Sequence, residues 1–217
     1  MIKHGIESKR RQQLIEATLE SLDELGMQGT TVQTISQRAG LSVGIVGHYF
    51  GGKQALLEAS LRHLLKGQTL TLLQNQQRSY SASARLAAVL DVYLAPARQL
   101  AWPARVRFDF WAQAMYEPEI ARLQRIYQRR MLSHLQHALG QLLPAPQVEP
   151  LARQLQLLIE GGLQQAALTD TRVTLSTLQL CRQLLALHGI TFAPQAQQYT
   201  TENQTTGEQQ RKRGLLA

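Results

Sequence analysis

Few residues of this 217-residue chain have the types and spacing of a reactive centre. His134 and His137 stand three apart, as two metal ligands on a helix can, but no third ligand accompanies them, and a solvated face is the simpler reading. No glycine-rich phosphate loop, nucleophile elbow or paired catalytic carboxylates occur, so nothing warrants an enzyme, a metal or a cofactor. Cys181 is the only cysteine; it excludes an intrachain disulfide and fits a reducing cytoplasm. The formal charge of +8 suits a polyanionic partner, most simply nucleic acid. Charge alone does not locate that contact, because residues 1–53 hold six Lys/Arg against five acids.

Position within local motifs does. Thr30-Thr31 supplies a cap for a short helix, 32–39, which Gly40 stops. Ser42 is the expected cap of a second, 43–49, ended by Phe50-Gly51-Gly52. Two short helices around Gly40-Leu41-Ser42 have the geometry in which one helix braces another in a DNA major groove. Ile35, Ala39, Val46 and Phe50 are spaced to face one core, with Leu41 beneath the turn. Val43, Gly44, Ile45, Gly47 and His48 are left on the outer surface. That surface is nearly uncharged, so specificity would come from shape and methyl contacts and affinity from flanking cations and a second subunit.

The elements around this pair are helical throughout. Helix 9–25 ends at Gly26, and a further helix, 53–67, carries Leu56, Leu57, Leu61, Leu64 and Leu65. Longer helices are expected over 83–99, 103–116, 118–142, 147–168 and 174–188, two of them opened by Pro103 and Pro118. The expected class is all-α, about nine helices: a three-helix bundle over 1–52 and a larger helical domain over 53–190. Residues 191–217, rich in Gln, Thr and Glu, read as a disordered tail. No apolar run approaches the ~18 residues of a membrane span, and the first residues lack the apolar stretch of a secretion signal.

The run from Thr31 to Phe50, with its turn Gly40, Ser42, helix-start Gly44 and His48-Tyr49-Phe50 ending, followed by Lys53 and Leu56-Leu57, resembles the DNA-binding signature of the TetR family. The resemblance spans about the first 60 residues. It implies a homodimeric repressor that reads palindromic operator DNA and is released by a small-molecule effector. Carried over by position, Thr31 and Lys53 would contact phosphates. Gln33 and Thr34 would approach the groove, with Gln33 suited to an adenine edge. Ser42, Val43, Gly44, Ile45, Gly47, His48 and Tyr49 would face bases or backbone. The family usually has a tyrosine where this chain has Gly47, which removes one phosphate anchor; Lys3, His4, Lys9, Arg10 and Arg11 would compensate through flanking contacts.

In this family the large domain dimerises through its last two helices. Leu155, Ile159, Gly162, Leu163, Leu178 and Leu185 are the expected interface; intrachain packing is the alternative, and both roles on different faces the expected outcome. Within the family, the chain resembles the choline-sensing repressors of betaine synthesis. The resemblance lies in Phe108-Asp109-Phe110-Trp111 through Glu117-Pro118, in Arg129-Arg130-Met131 and in Leu158-Ile159-Glu160-Gly161. A quaternary ammonium prefers aromatic faces and a carboxylate. The resemblance therefore implies a pocket of Trp111, Phe108, Phe110 and Tyr93 with Glu160 supplying charge. The competing reading makes these rings core and pairs Glu160 with Arg105 or Arg107. The subgroup is aromatic at the position of Arg107, which points equally to a relative with another effector. Two alternatives stand beside the choline-responsive repressor: a repressor of an efflux or catabolic operon, and a helical adaptor that has lost DNA binding.

Overall fold

The computed structural model describes residues 2–77, 81–94, 104–168 and 172–192, and every element in them is helical. The elements are α1 (Ile2–Gly29), α2 (Val32–Arg38), α3 (Gly44–Phe50), α4 (Lys53–Gln77), α5 (Ala82–Leu94), α6 (Ala104–Gln113), α7 (Pro118–Leu139), α8 (Ala145–Leu168) and α9 (Arg172–Leu187). None is long and apolar enough to cross a membrane among the described residues.

Three apolar clusters organise them. The first joins Leu14 and Ala17 of α1 to Ile35, Val46 and Leu56, and so holds α2 and α3 against α1 and the start of α4. In the second, Leu19 and Leu22 of α1 meet Leu57 and Leu61 of α4, Val106 and Phe110 of α6, and Ile120 and Leu123 of α7. The third fills the space between α5, α7, α8 and α9. α4 contributes to all three, directly or at their edges, and is the element on which the two ends of the molecule are mounted.

Several boundaries differ from expectation. α1 starts at Ile2 and continues to Gly29, bent at Gly26, whose φ of 66° and ψ of −177° are open to glycine. α4 runs ten residues past the expected stop at 67. Gly67 is tolerated because Leu65 and Leu72 pack against the large core on either side of it, so burial outweighs its weak helix propensity. The expected end of helix 83–99 and the start of helix 103–116 fall partly outside the described residues. The assignment of 191–217 to a tail needs correction at its start: Phe192 packs against the large core beneath the Arg182 guanidinium. Residues 193–217, including Arg211-Lys212-Arg213, lie outside the described residues.

The expected interface needs a larger correction. Leu155, Ile159 and Leu185 have no exposure at all within the single chain. Gly162 is buried where α8 crosses α9: a Cβ there would lie 2.2 Å from Thr177 Oγ1. Leu163 and Leu178 are half-buried against the same core. Leu155, Ile159, Gly162 and Leu185 therefore serve intrachain packing. A second stripe on α8 and α9 faces out, with Leu157 69% and Leu187 85% exposed, joined by Leu168 and Leu180. Leu157 is about 200° around the helix from Leu155 at 100° per residue, which is why the two faces alternate so closely in sequence.

Candidate nucleic-acid interface and interior polar site

The helix pair forms as its local signals dictate, with one exchange. Thr31 caps α2: its hydroxyl accepts from the Thr34 N–H at 3.1 Å, and the Thr34 hydroxyl accepts from the Thr31 N–H at 2.8 Å. Thr34 is thus half-buried and occupied by the cap, while Gln33 and Thr31 remain exposed. The turn uses Gly40 at φ 63°, in the left-handed region that favours glycine. Ser42 does not cap α3. Val43 occupies that position without a side-chain bond, and the chain enters α3 through Ile45 N–H to Ser42 C=O at 3.0 Å. The Ser42 side chain is exposed, beside Val43 at 51% exposure and exposed Gly44, Gly47 and His48. Ile45 and Tyr49 turn partly inward onto the first cluster, and the Tyr49 ring meets His48 edge-on at 4.9 Å.

The flanking cations divide into two kinds. Arg11 donates to the Tyr49 carbonyl and lies 4.3 Å over the Phe50 ring, which pins the end of α3. Arg38 is held by Glu24 and Glu20, and its guanidinium lowers the Glu24 carboxyl below the usual range. Lys9 is exposed and Arg10 half-buried, whereas the side chains of Lys3 and His4 lie outside the described residues. Lys53 is half-buried at the start of α4, its Nζ 3.5 Å from the Met27 carbonyl just past the kink of α1. The Met27 N–H donates to Asp109 of α6; burial raises that carboxyl, opposed by this hydrogen bond and by Arg105. Arg105 also bonds Asp23 of α1 at 2.6 Å, so α6 grips the bent end of α1 twice.

The expected aromatic pocket is not assembled as a unit. Phe110 is fully buried in the second cluster, and Tyr93 is buried in the third. Trp111 is 45% exposed and pairs with half-buried Phe108 at 5.8 Å between ring centres. Consecutive residues on a helix point about 100° apart, so Phe110 and Trp111 look into different surroundings.

Tyr93 and Glu160 instead mark the two sides of a polar cluster inside the helical domain. Tyr93 meets Tyr127 of α7 edge-on at 5.9 Å, and its hydroxyl lies 2.9 Å from His134 Nδ1. Arg107 of α6 donates to the Tyr127 hydroxyl and lies 4.9 Å over its ring. Gln156 Nε2 donates to Glu160 Oε1 and to the Gln128 carbonyl, each at 3.2 Å. Burial raises the Glu160 carboxyl, opposed first by the Gln156 hydrogen bond and then by Arg107. Burial likewise raises both phenols and lowers His134. Of the two alternative partners for Glu160, Arg105 is committed to Asp23, and Arg107 is the one that acts on it. Sequence reading missed Tyr127, Gln128, Gln156 and His134 as members. A polar residue falling in line with Leu123, Met131 and Leu135 on α7 was the available signal.

Comparison with known proteins agrees with this architecture. Residues 14–60 match the family described as bacterial regulatory proteins, tetR family. Residues 82–189 match the BetI-type transcriptional repressor C-terminal domain. The HTH-type transcriptional regulator BetI of Stenotrophomonas maltophilia is 42% identical over 74% of this chain and 83% of its own length. That of Burkholderia thailandensis is 40% identical over the same shares. Among solved structures, a TetR transcription regulator from Haloarcula marismortui superposes with a TM-score of 0.75 at 22% identity, covering 83% of this chain and 98% of that one. A transcriptional regulator from Saccharomonospora viridis, solved in complex with choline, superposes with a TM-score of 0.74 at 18% identity, covering 86% and 100%.

Proposed function

The chain belongs to the tetR family of bacterial regulators, as a DNA-binding repressor with a BetI-type C-terminal domain, and from that premise we propose how it reads DNA and what releases it. Residues 1–52 are the DNA-reading unit, and the helical domain to residue 190 holds the effector site and the dimer contact. The observation that carries this reading is the joint exposure of Gln33, Ser42, Val43, Gly44, Gly47 and His48 along α2, the turn and α3. Thr31 and Lys53 flank that stretch at helix starts, where backbone N–H groups favour phosphate.

The dimer is proposed on the outward stripe of Leu157, Leu168, Leu180 and Leu187, since exposed apolar side chains of that size on two packed helices suit a four-helix interface. Two-fold symmetry then pairs with a palindromic operator.

The effector is proposed to be choline or a related quaternary ammonium, bound at the cluster of Tyr93, Tyr127 and Glu160. Two supports are the BetI designation of the relatives and the choline held by the regulator of like fold. The third is local: a half-buried carboxylate is costly unless a cation or hydrogen bonds offset it, and Glu160 sits beside aromatic rings whose faces attract such a cation. An effector shifts the dimer away from its DNA-bound form only through unequal affinity for the two forms, so DNA and effector weaken each other reciprocally.

The test is fluorescence anisotropy on the DNA upstream of the protein's own gene, titrated with choline. Tight, salt-sensitive binding reversed by choline is expected. Binding that choline leaves unchanged would retain the repressor and discard that effector. Lys53→Ala is expected to weaken binding and reduce the slope of log affinity against log salt by about one; an unaltered slope would remove Lys53 from the phosphate contacts. At Gly47, a Cβ would meet nothing within 4 Å, so Gly47→Ala is expected to stabilise the protein by about 0.5–1 kcal/mol, read as a raised thermal midpoint. Gly47→Tyr, which restores a phosphate-reaching side chain, is expected to tighten operator binding severalfold.

A further inference from the structure

The interior cluster holds two opposite charges that do not neutralise one another directly. Arg107, from α6, rests on the hydroxyl and ring of Tyr127. Glu160, from α8, is held by Gln156 at 3.2 Å. Arg107 acts on Glu160 only through space, and among the described residues no ion pair joins them. Both are half-buried. Taking two charges out of water is offset best when they meet in a hydrogen-bonded pair. Here each is instead steadied by a neutral neighbour on its own helix or the next, with its charge left to act on a third party.

A simple cation such as choline would meet the carboxylate of Glu160 but would also lie within the field of a guanidinium. We propose that the effector carries both charges: a quaternary ammonium directed to Glu160 and the Tyr93–Tyr127 rings, and a carboxylate directed to Arg107. Among quaternary ammonium compounds, the preferred class is a trimethylammonium carboxylate over a trimethylammonium alcohol. A planar guanidinium presents paired donors that match the two oxygens of a carboxylate, and its stacking on Tyr127 keeps that fork oriented. Such a zwitterion offsets both interior charges at once, and weaker binding of the alcohol follows from the cation it leaves unanswered. This deepens the effector reading above and rests on the same cluster being the effector site.

Isothermal titration calorimetry on the full-length protein without DNA tests it, with glycine betaine and choline as probes. The wild type is expected to bind glycine betaine at least tenfold more tightly than choline. Arg107→Gln is expected to weaken glycine betaine at least tenfold while choline is unchanged or tightened, with Arg107→Lys between. Glu160→Gln is expected to weaken both ligands. Equal or tighter binding of choline by the wild type, absence of binding by either probe, or a preference that survives Arg107→Gln would overturn the proposal. Should Arg107→Gln fail to fold, the wild-type ratio and Arg107→Lys still decide. Operator binding is measured separately, so failure of the repressor reading shows in anisotropy and failure of the ligand class shows in calorimetry.

Discussion

Phe110→Ala is expected to lower the stability of the protein by about 3–5 kcal/mol, read as a fall in the denaturation midpoint. The phenyl ring has no exposure and touches a cluster built from four helices, with Leu19 and Leu22 on one side and Ile120 and Leu123 on the other. A cavity walled by four separate helices collapses poorly, which places the cost in the upper part of the range for such truncations. The same cluster is where α1, carrying the DNA-reading end, meets α6 and α7. The variant should therefore also loosen operator binding under conditions where it remains folded. Trp111→Ala is the control: its neighbour on the same helix is 45% exposed, so its loss should cost far less. Equal costs for the two would show that the cluster is not the joint between the ends of the molecule.

Gly162→Ala is the second large effect expected. One added carbon would come within 2.2, 2.5 and 2.7 Å of three side-chain atoms of Thr177, closer than packed atoms tolerate. Overpacking of this kind costs about 1–3 kcal/mol or more, and here it forces α8 and α9 apart. Because the proposed dimer stripe lies on those two helices, the dimer dissociation constant should rise with it, measurable by analytical ultracentrifugation. Thr177→Gly in the same chain should recover part of the loss, less about 1 kcal/mol for a second helical glycine. A double-mutant cycle gives the coupling between the two positions. No coupling would mean that the helices cross elsewhere.

The DNA-reading end was legible in the sequence because its signals are local. A capping threonine, a turn glycine and an uncharged outer face each act within a few residues; the cap of α3 moved from Ser42 to Val43 and Ile45 turned partly inward. The helical domain was legible as helices but not as surfaces. Periodicity shows that a helix has an apolar stripe, yet it does not say which stripe meets the same chain and which meets another. Leu155 and Leu157 illustrate the difficulty, being two residues apart with opposite fates. The aromatic run of α6 failed for a related reason: Phe108, Phe110 and Trp111 are neighbours in sequence, but a helix distributes neighbours around its axis. Tyr127 and Gln156 were hidden because their roles depend on helices that the chain brings together only after long separations.

Met27 gives the bend in α1 a mechanical meaning. Its N–H is drawn toward Asp109 on α6, and its carbonyl toward Lys53 at the start of α4. The two pulls act across a single Cα, next to a glycine whose backbone is open to rotation. Peptide planes are stiff, so whatever displacement of α6 the Asp109 and Lys53 side chains do not take up falls on the backbone rotations of Gly26 and Met27. The bend thus has the layout of a bell crank, with one arm resting on α6 and the other on the start of α4.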